Sequence, residues 1–181
     1  HNTAIDGQGG AVSIDTSTDV VLDRVHCEEN RANHNLTKLG HGGCLSVTSD
    51  AEEGLPSRVV VNAFTSRGDQ ATQYGGAVYV GRSSAMTMTE SSVREAKGSG
   101  AMYVSSAKVT LSTLSVKNTT CASDDDGAVS CVASTLKLNK NSNITGTSGR
   151  GLKSTGCSLV MRDTHITHKV ARANGAAMLL I

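Results

Sequence analysis

A short glycine-led phrase returns along the whole chain: Gly9-Gly10-Ala11-Val12, Gly42-Gly43-Cys44-Leu45, Gly75-Gly76-Ala77-Val78, Gly100-Ala101-Met102, Gly127-Ala128-Val129, Gly151-Leu152 and Gly175-Ala176-Ala177. Measured at residues 10, 43, 76, 100, 127, 150 and 175, the phrases recur at intervals of 33, 33, 24, 27, 23 and 25 residues. A unit of that length cannot bury an apolar face by itself, so units repeating at this period must stack on one another as a solenoid.

Within each unit the apolar residues come two apart, the period of a strand. Val12/Ile14, Val78/Val80, Met102/Val104 and Val129/Cys131 form a first strand. Val20/Leu22, Met86/Met88, Val109/Leu111, Leu136/Leu138 and Leu159/Met161 form a second after a Ser/Thr-rich turn. A third apolar position follows at Val25, Phe64, Val93, Val116, Ile144 and Ile166. Ser, Thr, Val and Asn crowd the intervening positions, which disfavours helix. The expected fold is therefore all-β: a right-handed, single-stranded parallel β-helix of about seven coils, with three short strands per coil. Gly10, Gly43, Gly76, Gly100, Gly127, Gly151 and Gly175 are its expected structural turns. A narrow tube filled by aliphatic ladders has little room for large rings, in keeping with no Trp, one Phe and three Tyr.

The two 33-residue intervals exceed the basic coil, which predicts excursions over residues 28–38 and 48–57. The chain opens as if on the tail of a preceding coil and stops inside a strand, and neither end carries a polar cap. Residues 1–181 thus read as one β-helix segment, either part of a longer rod or a subunit stacking head to tail into a filament. The expected partners are neighbouring coils or further copies of the chain, and glycans.

Seventeen basic residues oppose sixteen acidic ones, for a net charge of +1, and no basic run is interleaved with aromatics. That balance argues against nucleic acid, and no apolar run reaches membrane-spanning length. The five cysteines show no Cys-x-x-Cys spacing. Coil position suggests Cys27 with Cys44, or Cys131 with Cys157, as disulfide candidates, because adjacent coils about 4.8 Å apart bring such pairs within bridging distance. Asn35, Asn118 and Asn143 head glycosylation sequons. Paired cysteines and used sequons together imply an oxidising, extracellular or cell-surface setting.

The recurring Gly-Gly-Ala-Val/Leu phrase, with an Asn-Thr-Ala tail at residues 2–4, resembles the polymorphic outer-membrane protein repeats, which pair a Gly-Gly-Ala-Ile phrase with a Phe-x-x-Asn phrase. The first half recurs throughout. The second is worn, since Phe64-Thr65-Ser66 runs into Arg67 and Val25-His26-Cys27 into Glu28. The resemblance implies a surface-displayed β-helical adhesin.

Gly40-His41-Gly42 resembles the Gly-His-Gly of polygalacturonases, and Asp125-Asp126 their paired aspartates. The aspartates here follow the histidine by some three coils, roughly 14 Å, and in the reverse order, so Gly40–Gly43 reads as one more corner phrase. Asp124-Asp125-Asp126 reads as a solvated acidic turn rather than a Ca²⁺ site. His165 and His168 read as surface residues, and no motif surrounds any serine nucleophile. Thr87-Met88-Thr89 is a single Thr-x-Thr, too little for an ice-binding ladder. No catalytic, cofactor or metal residue is assigned. The expected function is a non-catalytic structural or adhesive module; the alternative is a β-helix that binds or cleaves a polysaccharide.

Overall fold

Residues spaced two apart bury one side of a strand, and here that side turns into a shared tube. A computed structural model describes residues 2–5, 9–16, 19–33, 40–49, 56–123, 126–169 and 178–180. Among them there is no helix, and every strand pairs in parallel with the coil above or below, giving a β-solenoid of about five turns.

The first face is a seven-stranded sheet running from Val12–Asp15 through Leu45–Thr48, Val78–Gly81, Met102–Ser105, Gly127–Val132 and Arg150–Thr155 to Met178–Leu180. Its inward ladder is Val12, Leu45, Val78, Met102, Val129, Leu152, in continuous register. The second face has ten strands. Its ladder Val20, Val59, Met86, Val109, Leu136, Leu159 faces the first across the core.

Four features depart from the sequence reading. The third apolar position does not form a separate side: it continues the second sheet around a bend, as in Ala85–Arg94 and Lys108–Lys117. Glu90 and Thr113 make that bend in the left-handed region, with φ 48° and 56°. Along this part, the row through Val93, Val116, Ile144 and Ile166 begins at Cys27 and Ser66, whereas Val25 and Phe64 fall two residues earlier. The real third face is a five-stranded sheet, Thr3–Ile5, Arg31–Asn33, Gln70–Ala71, Lys97–Gly98 and Thr120–Cys121, formed by the polar stretches before the glycines. With five rungs on this face, the complete turns number about five rather than seven.

This third face explains the glycine pair. Gly75 turns the chain with φ 62°, while at Gly76 a Cβ would lie 2.5 Å from the Lys97 carbonyl oxygen and 2.8 Å from that of Gly100. The first glycine supplies a left-handed turn; the second admits the backbone of the adjoining face. Gly127 and Gly151 instead lie inside the strands Gly127–Val132 and Arg150–Thr155, and Gly175 lies outside the described residues.

The first excursion also shrinks, because residues 31–33 are a regular third-face strand. Its part beyond that strand, residues 34–38, lies outside the described residues, as do residues 50–55 of the second.

Candidate functional site

Side chains between the inward positions of the first face point outward, in the order Ser13, Ser46, Tyr79, Tyr103, Ser130, Lys153. Two adjacent rungs thus carry tyrosine, with small residues on either side. Tyr79 and Tyr103 lie nearly parallel, their centroids 6.2 Å apart and planes 18° apart. Gly81 makes room for this arrangement, since a Cβ there would come within 2.5 Å of the Tyr79 hydroxyl.

The turn leading into the face completes a cluster. Tyr74 immediately precedes Gly75, and His41 holds the same place before Gly42 one coil earlier; the two residues are bridge partners in parallel. Tyr74 stacks on Tyr103 at 4.3 Å, and His41 approaches Tyr79 at 4.3 Å and Tyr74 at 5.2 Å. The four rings therefore close on one another, and they use every tyrosine in the chain. His41 and Tyr79 are buried beneath, while Tyr74 and Tyr103 are half-buried and offer ring surface to solvent.

The electrostatics favour neutral rings. His41 Nε2 lies 3.0 Å from Gln73 Oε1, an acceptor, so Nε2 carries the proton and donates it. Burial holds the imidazole below its ordinary range and Arg82 pushes the same way, against the Gln73 hydrogen bond. Its Nδ1 is then a buried acceptor with no hydrogen-bond partner. Burial raises the Tyr79 phenol, with Arg82 opposing. Burial, followed by Tyr74, Tyr79 and Asp126, pushes Tyr103 up to about 12. The result is an uncharged aromatic surface carrying phenol hydroxyls, with Arg82 and Asp126 near it. Such a surface packs against apolar faces while hydrogen-bonding at its edge.

In the sequence His41 reads as part of a corner phrase and the tyrosines carry no role. A signal for the cluster was present, because His41 and Tyr74 precede equivalent glycine pairs and Tyr79 and Tyr103 occupy equivalent strand positions.

The other singled-out residues lie elsewhere. Cys27 is bonded to Cys44 and Cys131 to Cys157, with Cα separations of 6.0 and 6.4 Å. Cys121 belongs to neither disulfide. Asn118 is exposed in a left-handed turn with φ 52°. Asn143 sits within the strand Ser142–Thr147, and its Oδ1 is buried without a hydrogen-bond partner. Asn35, Asp124 and Asp125 lie outside the described residues; His165 is exposed on the strand Thr164–Lys169.

Asp69 was also missed by the sequence reading. Fully buried, it accepts hydrogen bonds from the Asn30 backbone N–H at 2.7 Å, Asn30 Nδ2 at 2.9 Å and Ser66 Oγ at 2.5 Å. Asn2 in turn donates to Asn30 Oδ1, extending a polar ladder up one corner. Asp69 lies close to the sulfurs of Cys27 and Cys44, but both are bonded to each other, so this trio is a structural knot rather than a ligand set.

Comparison with protein-family models, with curated proteins and with solved structures finds no match to this chain.

Proposed function

We propose that this protein is a non-catalytic, extracellular adhesive rod that contacts glycans through the rings of Tyr74 and Tyr103, backed by the buried His41 and Tyr79. The observation that carries the reading is the closure of four rings on one face, built from every tyrosine of an otherwise aromatic-poor chain. Tyrosine supplies broad, rigid contact area at low entropic cost, together with a hydroxyl for orientation. Sugar rings present C–H faces and hydroxyl edges that match both properties. Two disulfides favour an oxidising compartment, and the exposed Asn118 sequon suits one as well.

The test is an oligosaccharide array probed with the intact chain. Tyr74→Ala and Tyr103→Ala should each weaken the best-bound glycan about three- to tenfold, whereas His165→Ala should change nothing. Tyr103→Phe keeps the ring and should retain most of the affinity. Absence of binding to any glycan, or binding by the two alanine variants as tight as that of the native chain, would refute the reading.

A further inference from the structure

Around the corner from the tyrosine surface, where the first face turns into the second, runs an open groove of about 830 Å³. Its concavity comes from small residues at the corner on successive coils: Ala85, Ala107, Ala133 and Gly156. The rungs it crosses begin at Arg58, Ala85, Lys108, Thr135 and Ser158, which are in continuous register. Five rungs make the groove roughly 20 Å long, parallel to the solenoid axis.

Among the described residues its charge is one-signed. Arg58 and Lys108 both line it and both are exposed, whereas among the described residues no acidic side chain lines it. Neither cation has an ion-pair partner among the described residues. Asp19, one rung beyond Arg58, borders only the adjoining smaller cavity of about 320 Å³. Ala85 stands between the two cations in register, so no side chain fills the space separating them. Two rungs set their backbones about 10 Å apart. Exposed hydroxyls of Ser83, Ser106 and Ser158 border the same groove.

From this geometry we infer that the groove binds a linear acidic polysaccharide whose carboxylates recur about every second sugar. An extended chain follows the axis, its anions meet Arg58 and Lys108 in turn, and the serine hydroxyls exchange hydrogen bonds with the sugars along the groove. The spacing disfavours a nucleic-acid strand, which carries a charge about every 3.4 Å. Among the described residues the groove also lacks aromatic side chains on which bases would stack. The site shares no residue with the ring cluster, so it stands independently of the function proposed above.

The probe is a hyaluronan oligosaccharide, which alternates charged and neutral sugars, titrated calorimetrically into the intact chain at low salt beside neutral dextran and single-stranded DNA. Hyaluronan should bind, with affinity falling as salt rises, and dextran should not. Arg58→Ala combined with Lys108→Ala should weaken binding at least about fivefold, on the scale of two exposed ionic contacts. Arg94→Ala with Lys140→Ala removes the same charge elsewhere and should leave binding unchanged. Ala85→Glu places a carboxylate between the two cations, which favours the fold through cross-strand pairing, and should abolish binding without lowering the unfolding temperature. Tyr74→Ala should have no effect, which separates this test from that of the ring surface. Equal loss in the Arg94/Lys140 variant, tighter binding of DNA, equal binding of dextran, or no binding of hyaluronan would each overturn the inference.

Discussion

Replacing Gly76 by alanine tests the packing of the third face against the glycine pair. The new Cβ would meet three backbone atoms: the Lys97 carbonyl oxygen at 2.5 Å, the Gly100 carbonyl oxygen at 2.8 Å and the Lys97 nitrogen at 2.8 Å. These distances fall roughly 1 Å short of ordinary contact, and none of the three atoms can swing aside as a side chain would. Relief requires separating the coils where Gly76 N–H donates to Gly100 at 2.7 Å and Lys97 N–H to Asp69 at 3.0 Å. Overpacking costs about 1–3 kcal/mol, and weakening one or two of these bonds adds about 1 kcal/mol each. The stiffer unfolded chain returns about 0.4–1 kcal/mol. The net loss is about 2–4 kcal/mol, which for a chain of this size lowers the unfolding temperature by roughly 5–15 °C. Gly156→Ala is the matched comparison: its φ is 61°, but a Cβ there meets nothing within 4 Å, so only a left-handed cost of about 1 kcal/mol remains. Thermal unfolding followed by circular dichroism reads both. Equal unfolding temperatures for the two variants would refute steric packing as the reason for the second glycine.

Thr113 is exposed and β-branched, yet holds φ 56° at the bend of the second sheet. Thr113→Asn should raise stability by about 0.5–1 kcal/mol by relieving that conformation, read as a higher midpoint in urea; an unchanged or lower midpoint would remove strain from the account. Burial lifts the Asp69 carboxyl above its ordinary 3.8, against the hydrogen bonds from Ser66 and Asn30. A raised folded-state value contributes stability that is full below 3.8 and is lost as pH rises through the folded value. Asp69→Asn keeps an oxygen for Asn30 and does not ionise, so its advantage over the native chain should grow from pH 4 toward neutrality; parallel stability-pH curves would count against this.

What was legible in the chain was whatever hydrophobic alternation could write. Val78/Val80 and Met86/Met88 announce two faces because inward residues must be apolar and outward ones need not be. The third face left no such trace. Its inward row, Ala4, Ala32 and Ala71, is small because the glycine corner lies against it, and its strands of two or three residues are held by the coils above and below. A strand imposed by neighbours need not carry its own propensity. The offset of Val25 and Phe64 was hidden for a related reason: Phe64 shares its row with Ser91, and the apolar residue of that coil, Val93, comes two positions later. The ring cluster depended on register between coils, which single phrases do not display until they are laid over one another.

A solenoid repeats its backbone, so whatever distinguishes one stretch of its surface must come from the side chains that break the repetition. The outward row of the first face is serine on either side of two tyrosines, and the row along the groove is two cations on either side of an alanine. In the first case large residues interrupt small ones and make a raised platform. In the second a small residue interrupts long ones and makes a recess. The coil spacing of about 4.8 Å then fixes the distances between rungs in both features, and the turns before Gly42 and Gly75 add His41 and Tyr74 to the platform. A rigid ladder of this kind suits ligands that are themselves extended and periodic, because successive weak contacts fall in phase along the axis and add through effective concentration. This common geometry connects the two proposals, while the separate residues on which they rest allow either to fail alone.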